Sequence, residues 1–130
     1  LNITIPEKLH QLVDAGHLGK KSGRGFYQYE KGKAKKDKNM TISSLPDIED
    51  RMVMRILNEC VACLDEGIVE DKDLLDAGMV FGTGFAPFRG GPMNYALNKG
   101  TGDVVQTLND LESKYGERFC AHKGWQQLDS

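Results

Sequence analysis

The sequence predicts an all-α protein: a compact bundle of about four to six helices over residues 47–130, preceded by a short helix and an extended segment. Three observations predict it. Apolar residues recur at i, i+3 and i+4 in four stretches after residue 46, the period of an amphipathic helix. Glycine or proline stands at the ends of those stretches, where helices stop and start. Strict apolar–polar alternation, the mark of a half-buried strand, is almost absent, and the connections are short enough for neighbouring helices to pack on each other.

The elements follow in order. Residues 6–16 read as a short helix, with Pro6 suited to a first helical position, Leu9, Leu12 and Val13 on one face, and Gly16 as its stop. From Leu18 to Tyr29 glycines alternate with basic and then aromatic residues, which predicts a tight turn and a short extended segment with Phe26 buried and Tyr27 or Tyr29 half-buried. Residues 30–46 include Glu30-Lys31-Gly32-Lys33-Ala34-Lys35-Lys36-Asp37-Lys38, without apolar periodicity, and read as a solvated, charged linker.

The longest helix is expected over 47–66. Asp47 is its N-cap, Glu49 and Asp50 complement the macrodipole, and Met52, Val53, Ile56, Leu57, Cys60, Val61 and Leu64 form an apolar stripe that Gly67 closes. A second helix starts at Asp71, carries Leu74, Leu75, Met79 and Val80, and ends near Gly82. A third runs from Pro92 to about Lys99. A fourth covers about 103–115, with Val104, Val105, Leu108, Leu111 and Tyr115 on one face and Gly116 as its stop. The tail through Trp125 and Leu128 is expected to fold back on the bundle.

Composition bounds the function. The chain has 130 residues, 39% hydrophobic and 28% charged, which suits a soluble globular protein. Seventeen basic residues against 19 acidic give a net charge of −2, so no general attraction to nucleic acid or an anionic membrane follows. No apolar run approaches the roughly 20 residues of a membrane-spanning helix. Three cysteines without a secretory signal read as free thiols in a reducing compartment. The opening Leu1-Asn2-Ile3-Thr4-Ile5-Pro6 reads as cut from something longer, and the ending Leu128-Asp129-Ser130 is not the Ser-Lys-Leu peroxisomal address.

The reactive residue types do not assemble into familiar sites. Cys60-Val61-Ala62-Cys63 spells C-x-x-C, but a structural zinc needs four ligands, and Cys120, His122, His10 and His17 stand at unsuitable spacing. These cysteines lie on or beside the apolar stripe and read as core. Cys120-Ala121-His122 has no third group to orient a base. Gly82-x-Gly84 with Gly90-Gly91 follows a helical stretch instead of the strand that a dinucleotide loop requires, and Pro87 interrupts its spacing. Its glycines and prolines read as conformational, with Phe85 and Phe88 inserting into the core. Arg89 could meet an anion at the following helix N-terminus, although a carboxylate or carbonyl of the protein is the expected partner. Asp71, Asp73 and Asp76 read as helix ends and solvated faces.

Several motifs in one order carry a resemblance. Leu18-Gly19-Lys20-Lys21-Ser22-Gly23-Arg24-Gly25-Phe26-Tyr27 is similar to the motif that closes a C-terminal repeat of the 3-hydroxyacyl-CoA dehydrogenases. Asn58-Glu59, Cys63-Leu64-x-Glu66-Gly67-Ile68, Gly82-x-Gly84-Phe85-x-Pro87-Phe88-x-Gly90-Gly91-Pro92 and Tyr115-Gly116-x-x-Phe119 resemble the following repeat. Together they resemble the C-terminal region of the multifunctional enzymes of fatty acid β-oxidation. The resemblance implies that residues 1–29 end the first, catalytic repeat, that 30–46 link, and that 47–130 form the second repeat. It implies an upstream Rossmann domain that binds NAD and carries the catalytic His and Glu, an acyl-CoA substrate, and a thiolase subunit as a further partner. It also implies a bacterial cytoplasm, or alternatively a mitochondrial matrix, as the location. In the catalytic repeat an Asn opens the long helix and positions substrate, and aligning Arg51, Leu57 and Glu59 puts Asp50 in that slot. A carboxylate accepts hydrogen bonds but cannot donate them, so this repeat is expected to be inert alone, with no catalytic, cofactor or metal residues of its own. Phe85, Pro87, Phe88, Arg89, Gly90 and Gly91 remain as packing or acyl-CoA-facing positions. The alternative reading is a stand-alone helical assembly or acyl-CoA-binding module using the lysines of 31–38 and the Phe85/Phe88 region.

Overall fold

The structure, a computed structural model, describes residues 5–35 and 45–128. The chain divides into two compact units, Leu1–Ser43 and Ser44–Ser130, and each is described by itself.

In the first unit α1 spans Glu7–Asp14, with Pro6 one position before it in extended conformation rather than inside it. Gly16, at φ +70°, ends the helix, and the N–H of His17 reaches back to the Leu12 carbonyl at 2.8 Å. The next turn is built on Ser22. Its hydroxyl accepts from the Leu18 N–H at 2.9 Å and lies 2.8 Å from the Arg24 carbonyl. Gly25 has to be glycine there, because a Cβ would come within 2.7 Å of the Gly19 Cα. Two short strands follow, β1 (Gln28–Glu30) and β2 (Lys33–Lys35), antiparallel with Tyr29 opposite Ala34. Lys31 and Gly32, at φ +50° and +75°, form the two-residue hairpin turn that matches strand twist.

Two expectations fail in this unit. Residues 30–35 form a hairpin instead of linker, while residues 36–44 lie outside the described residues. Phe26 is 69% exposed, not buried, because among the described residues of this unit Leu12 is the one buried hydrophobic side chain and no core exists to receive the ring. Tyr29 is half-buried as expected.

The second unit is a bundle of α2 (Ile48–Asp65), α3 (Lys72–Thr83), α4 (Pro92–Lys99) and α5 (Thr101–Tyr115), followed by 3-10 turns at Glu117–Phe119 and Lys123–Gln127. α2 is its central post. Met54, Leu57, Cys60 and Val61 of α2 meet Leu75 of α3, Met93 and Ala96 of α4, Val104, Leu108 and Leu111 of α5, and Phe119 and Trp125 of the tail. Each fully buried Val, Leu, Met or Phe among them contributes about 1.5–3 kcal/mol relative to exposure.

The buried stripe of α2 is rotated from the expected one. Met54 is fully buried, while Met52 is 63% exposed and Ile56 also faces outward. This helix carries apolar residues on more than one face, so periodicity alone does not select the face that packs. Asp47 precedes α2 in left-handed conformation (φ +58°) and makes no capping bond with its side chain. Asp71 does cap α3, accepting from the N–H groups of Asp73 and Leu74 at 2.9 and 2.8 Å.

Candidate functional site

The segment joining α3 to α4 holds the residues singled out for function. Gly84 (φ +76°) stops α3, and the chain turns through Pro87–Arg89, closed by Arg89 N–H to Ala86 carbonyl and Gly90 N–H to Pro87 carbonyl bonds, both 2.9 Å. Gly91 and Pro92 then open α4. Gly91 has no side chain to cap that helix, and four N–H groups at a helix start need partners. Asp76 of α3 takes two of them: Met93 N–H donates to Oδ1 at 2.7 Å and Asn94 N–H to Oδ2 at 2.9 Å. Asp76 is therefore buried, not on a solvated face. A Cβ on Gly91, at φ +110°, would overlap its carboxylate. The helix N-terminus expected to attract an anion already holds one from the protein itself. A carboxylate-free glycine pair before a helix was the signal in the sequence that an outside cap was needed.

Arg89 is placed differently from its expected partner. Its guanidinium lies over the rings of Phe88 and Tyr95, 5.5 and 5.2 Å from their centroids, and among the described residues it forms no ion pair with a carboxylate. Its main-chain carbonyl accepts from Asn94 Nδ2 at 2.7 Å, which pins the turn. Phe85 is half-buried, but Phe88 is 84% exposed and does not enter the core. Met93, just after this turn, belongs to the buried core, and Phe88 does not.

Asp50 lies half-buried in the first turn of α2. No hydrogen bond or ion pair among the described residues joins it to the 85–91 segment. Around it, Arg51 stacks on Tyr115 at 4.5 Å, and Asp47 takes Lys114 Nζ at 3.0 Å and the Tyr115 hydroxyl at 3.2 Å. The Lys114 hydrogen bond holds the Asp47 carboxyl below its usual range, partly opposed by desolvation, and the same bond raises Lys114. This clasp ties the start of α2 to the end of α5.

The cysteines and histidines do not converge. Cys60 is buried, and burial pushes its thiol up to about 12, with Cys63 a smaller contribution. Such a thiol is a poor ligand and nucleophile. Among the described residues no group of three or more His, Cys, Asp or Glu side chains shares a metal-sized site. Cys120 is exposed and raised mainly by Glu112. His122 Nδ1 accepts the Gly124 N–H at 3.1 Å, so that nitrogen caps the last turn and is not turned toward a thiol. The residues between α3 and α4 do not fit a dinucleotide either. Gly82 and Gly84 end a helix instead of opening one, and the N–H groups after Gly91 are taken by Asp76.

The fold and this loop define a helical module in which Gly84 stops α3 and Gly91 leaves room for the Asp76 carboxylate that caps α4. Among known proteins, the chain is 38% identical over 128 residues to the fatty acid oxidation complex subunit alpha of Vibrio parahaemolyticus and of Vibrio vulnificus, each match covering 92% of this chain. It is 38% identical over 128 residues to the same subunit of Shewanella amazonensis, covering 88% of this chain. The chain spans 18% of the length of these relatives. No protein-family model matches it. The chain is homologous to a C-terminal portion of the fatty acid oxidation complex subunit alpha. No helix among the described residues is long and apolar enough to cross a membrane.

Proposed function

We propose that this chain is the C-terminal part of a 3-hydroxyacyl-CoA dehydrogenase of fatty acid β-oxidation and that it acts there as a structural repeat. The observation that carries the reading is the 38% identity to subunit alpha over 92% of the chain. The parent protein oxidises (S)-3-hydroxyacyl-CoA to 3-ketoacyl-CoA, with NAD bound by the upstream Rossmann domain as hydride acceptor. Residues 1–29 finish the first repeat and 47–130 form the second, in the cytoplasm of a bacterium.

The chemistry of Asp50 supports the structural role. A developing negative oxygen on the substrate needs a donor, and an ionised carboxylate both lacks one and repels the charge. The outer faces of α2 and α3 support it as well. They form an apolar groove of about 400 Å³ lined by Ile56, Cys63, Val69, Leu74 and Met79, a surface suited to packing against another helix.

The test is direct. The purified chain, given 3-hydroxybutyryl-CoA and NAD, is expected to form no NADH, and measurable turnover would remove the reading. Salt-dependent binding of acyl-CoA by the chain alone would instead favour a stand-alone binding module.

A further inference from the structure

The returning tail is latched to α2 at two places. Asn58 holds one of them, accepting the His122 N–H and the Trp125 indole N–H. Asp65, at the end of α2, holds the other. Its carboxylate takes Lys123 Nζ at 3.2 Å and Gln127 Nε2 at 3.1 Å, and its side chain is only 8% exposed. Between the two latches stands His122, the only histidine of the second unit. Its Nδ1 accepts the Gly124 N–H at 3.1 Å and so caps the 3-10 turn Lys123–Gln127.

That bond exists in one protonation state alone. A ring nitrogen that accepts a hydrogen bond carries no proton, and in the imidazolium both nitrogens are donors. A proton on Nδ1 sets a donor against the Gly124 N–H, and the ring has to turn away. The Gly124 backbone cannot shift toward α2 to compensate. A Cβ there would come within 2.9 Å of Val61 Cγ1 and 3.0 Å of Asp65 Cβ. It would also lie 3.2 Å from His122 Nδ1, so Asp65 and the ring share one small space. The other charges near the ring offer it no partner. Lys123, on its own segment, is a cation. Gln106 and Asn109 of α5 line the same pocket and do not titrate, and Asp110 beyond them already takes the Gln106 amide at 3.0 Å.

We infer that His122 and Asp65 form a proton-driven exchange of partners built into the tail. As pH falls through the range in which histidine gains its proton, the ring leaves Gly124 and its Nδ1–H turns to the Asp65 carboxylate, in competition with Lys123. The turn Lys123–Gln127 loses its cap and loosens, while Asn58 keeps Trp125 in the core. The event is a local opening, not an unfolding of the bundle. It rests on the tail and α2 alone and does not depend on the dehydrogenase reading.

Amide exchange in the 130-residue chain, followed by NMR at pH 7.5 and pH 5.5, tests it. After correction for the intrinsic pH dependence of exchange, Gly124 should lose about tenfold in protection at pH 5.5, the size of a lost cap. The Trp125 indole N–H should keep its protection. His122→Asn supplies a side-chain oxygen that caps the same N–H and takes up no proton, so its Gly124 protection should be equal at both pH values. Asp65→Asn should shrink the loss, because the cationic ring then has no carboxylate to turn to. Trp125 fluorescence at pH 7.5 verifies that each variant is folded. The proposal is overturned if Gly124 stays protected at pH 5.5, if His122→Asn shows the same loss, or if Asp65→Asn leaves the loss undiminished. It is equally overturned if the Trp125 indole opens along with Gly124, since the whole tail would then be leaving α2.

Discussion

Trp125 Nε1 donates a 2.9 Å hydrogen bond to Asn58 Oδ1, across 67 positions of sequence, and the two side chains are buried together. Asn58 does more than receive the indole. Its Oδ1 also accepts the His122 N–H at 2.8 Å, and its Nδ2 donates to the Cys120 carbonyl at 2.9 Å. One amide in the middle of α2 therefore fixes the whole returning tail. Replacing it by alanine leaves an indole N–H, a main-chain N–H and a carbonyl without partners. Asn58→Ala is expected to cost at least about 2 kcal/mol. Urea unfolding followed by the fluorescence of Trp125, the only tryptophan, checks this.

The same reasoning applies to the carboxylate under α4. Asp76→Ala removes two bonds to main-chain N–H groups and is expected to destabilise by roughly 1–3 kcal/mol. Gly91→Ala should be at least as damaging, because its Cβ would overlap Asp76 and its φ of +110° strains any residue with a side chain. If calorimetry finds both variants as stable as the parent, Asp76 is not the cap.

How much of this could be read from sequence depends on how local the cause is. The span Pro92–Lys99 and the stops at Gly84 and Gly116 follow from residues within a few positions, and α4 lies where Pro92 and Lys99 place it. The return of Trp125 follows from one large aromatic in a polar tail. The Asp76 cap comes from 17 positions away, and the exposure of Phe88 lies in a turn that no periodicity encodes. The rotated stripe of α2 shows the limit most directly. Met52 and Met54 are chemically alike, and only the positions of α4 and α5 decide which one is buried. The glycines and prolines of the 82–92 loop are legible as turn residues, but the partners of Arg89 are not.

Gly78 offers a test in the opposite direction. It lies inside α3, and a Cβ built on it meets nothing within 4 Å. Gly78→Ala should raise the stability of the isolated chain by about 0.5–1 kcal/mol through helix propensity. A higher melting temperature would show that the bundle itself does not need the bare position. A lower one would mean that the space is needed within the bundle.

The clasp of Asp47 and Lys114 fixes a pH dependence with a known sign. Asp47 is lowered from 3.8 in the folded state, so its contribution is present above that value and is lost as pH falls through the folded pKa beneath it. Lys114 is raised from 10.5, so its contribution is present below that value and is lost as pH rises through the folded pKa above it. Between these limits the exposed pair adds little. Asp47→Asn should therefore flatten the acid limb of a stability–pH curve, and Lys114→Met the alkaline limb, while both leave the neutral plateau nearly unchanged. A plateau that drops sharply in either variant would assign the residue a role other than this pair.

The three thiols should separate by rate. Cys120 is exposed, Cys63 is partly covered in the α2–α3 groove, and Cys60 is buried with its thiol pushed up to about 12. Reaction of a thiol requires both access and thiolate. With a disulfide reagent at pH 8, Cys120 is expected to react first and Cys63 more slowly. Cys60 should react only at the rate at which the bundle opens, so its labelling should slow when the fold is stabilised and accelerate in Asn58→Ala. If Cys60 instead labels as fast as Cys120 in the folded chain, the C-x-x-C pair is an accessible dithiol and its placement in the core is wrong. Mass spectrometry of the partly labelled chain distinguishes the two outcomes residue by residue.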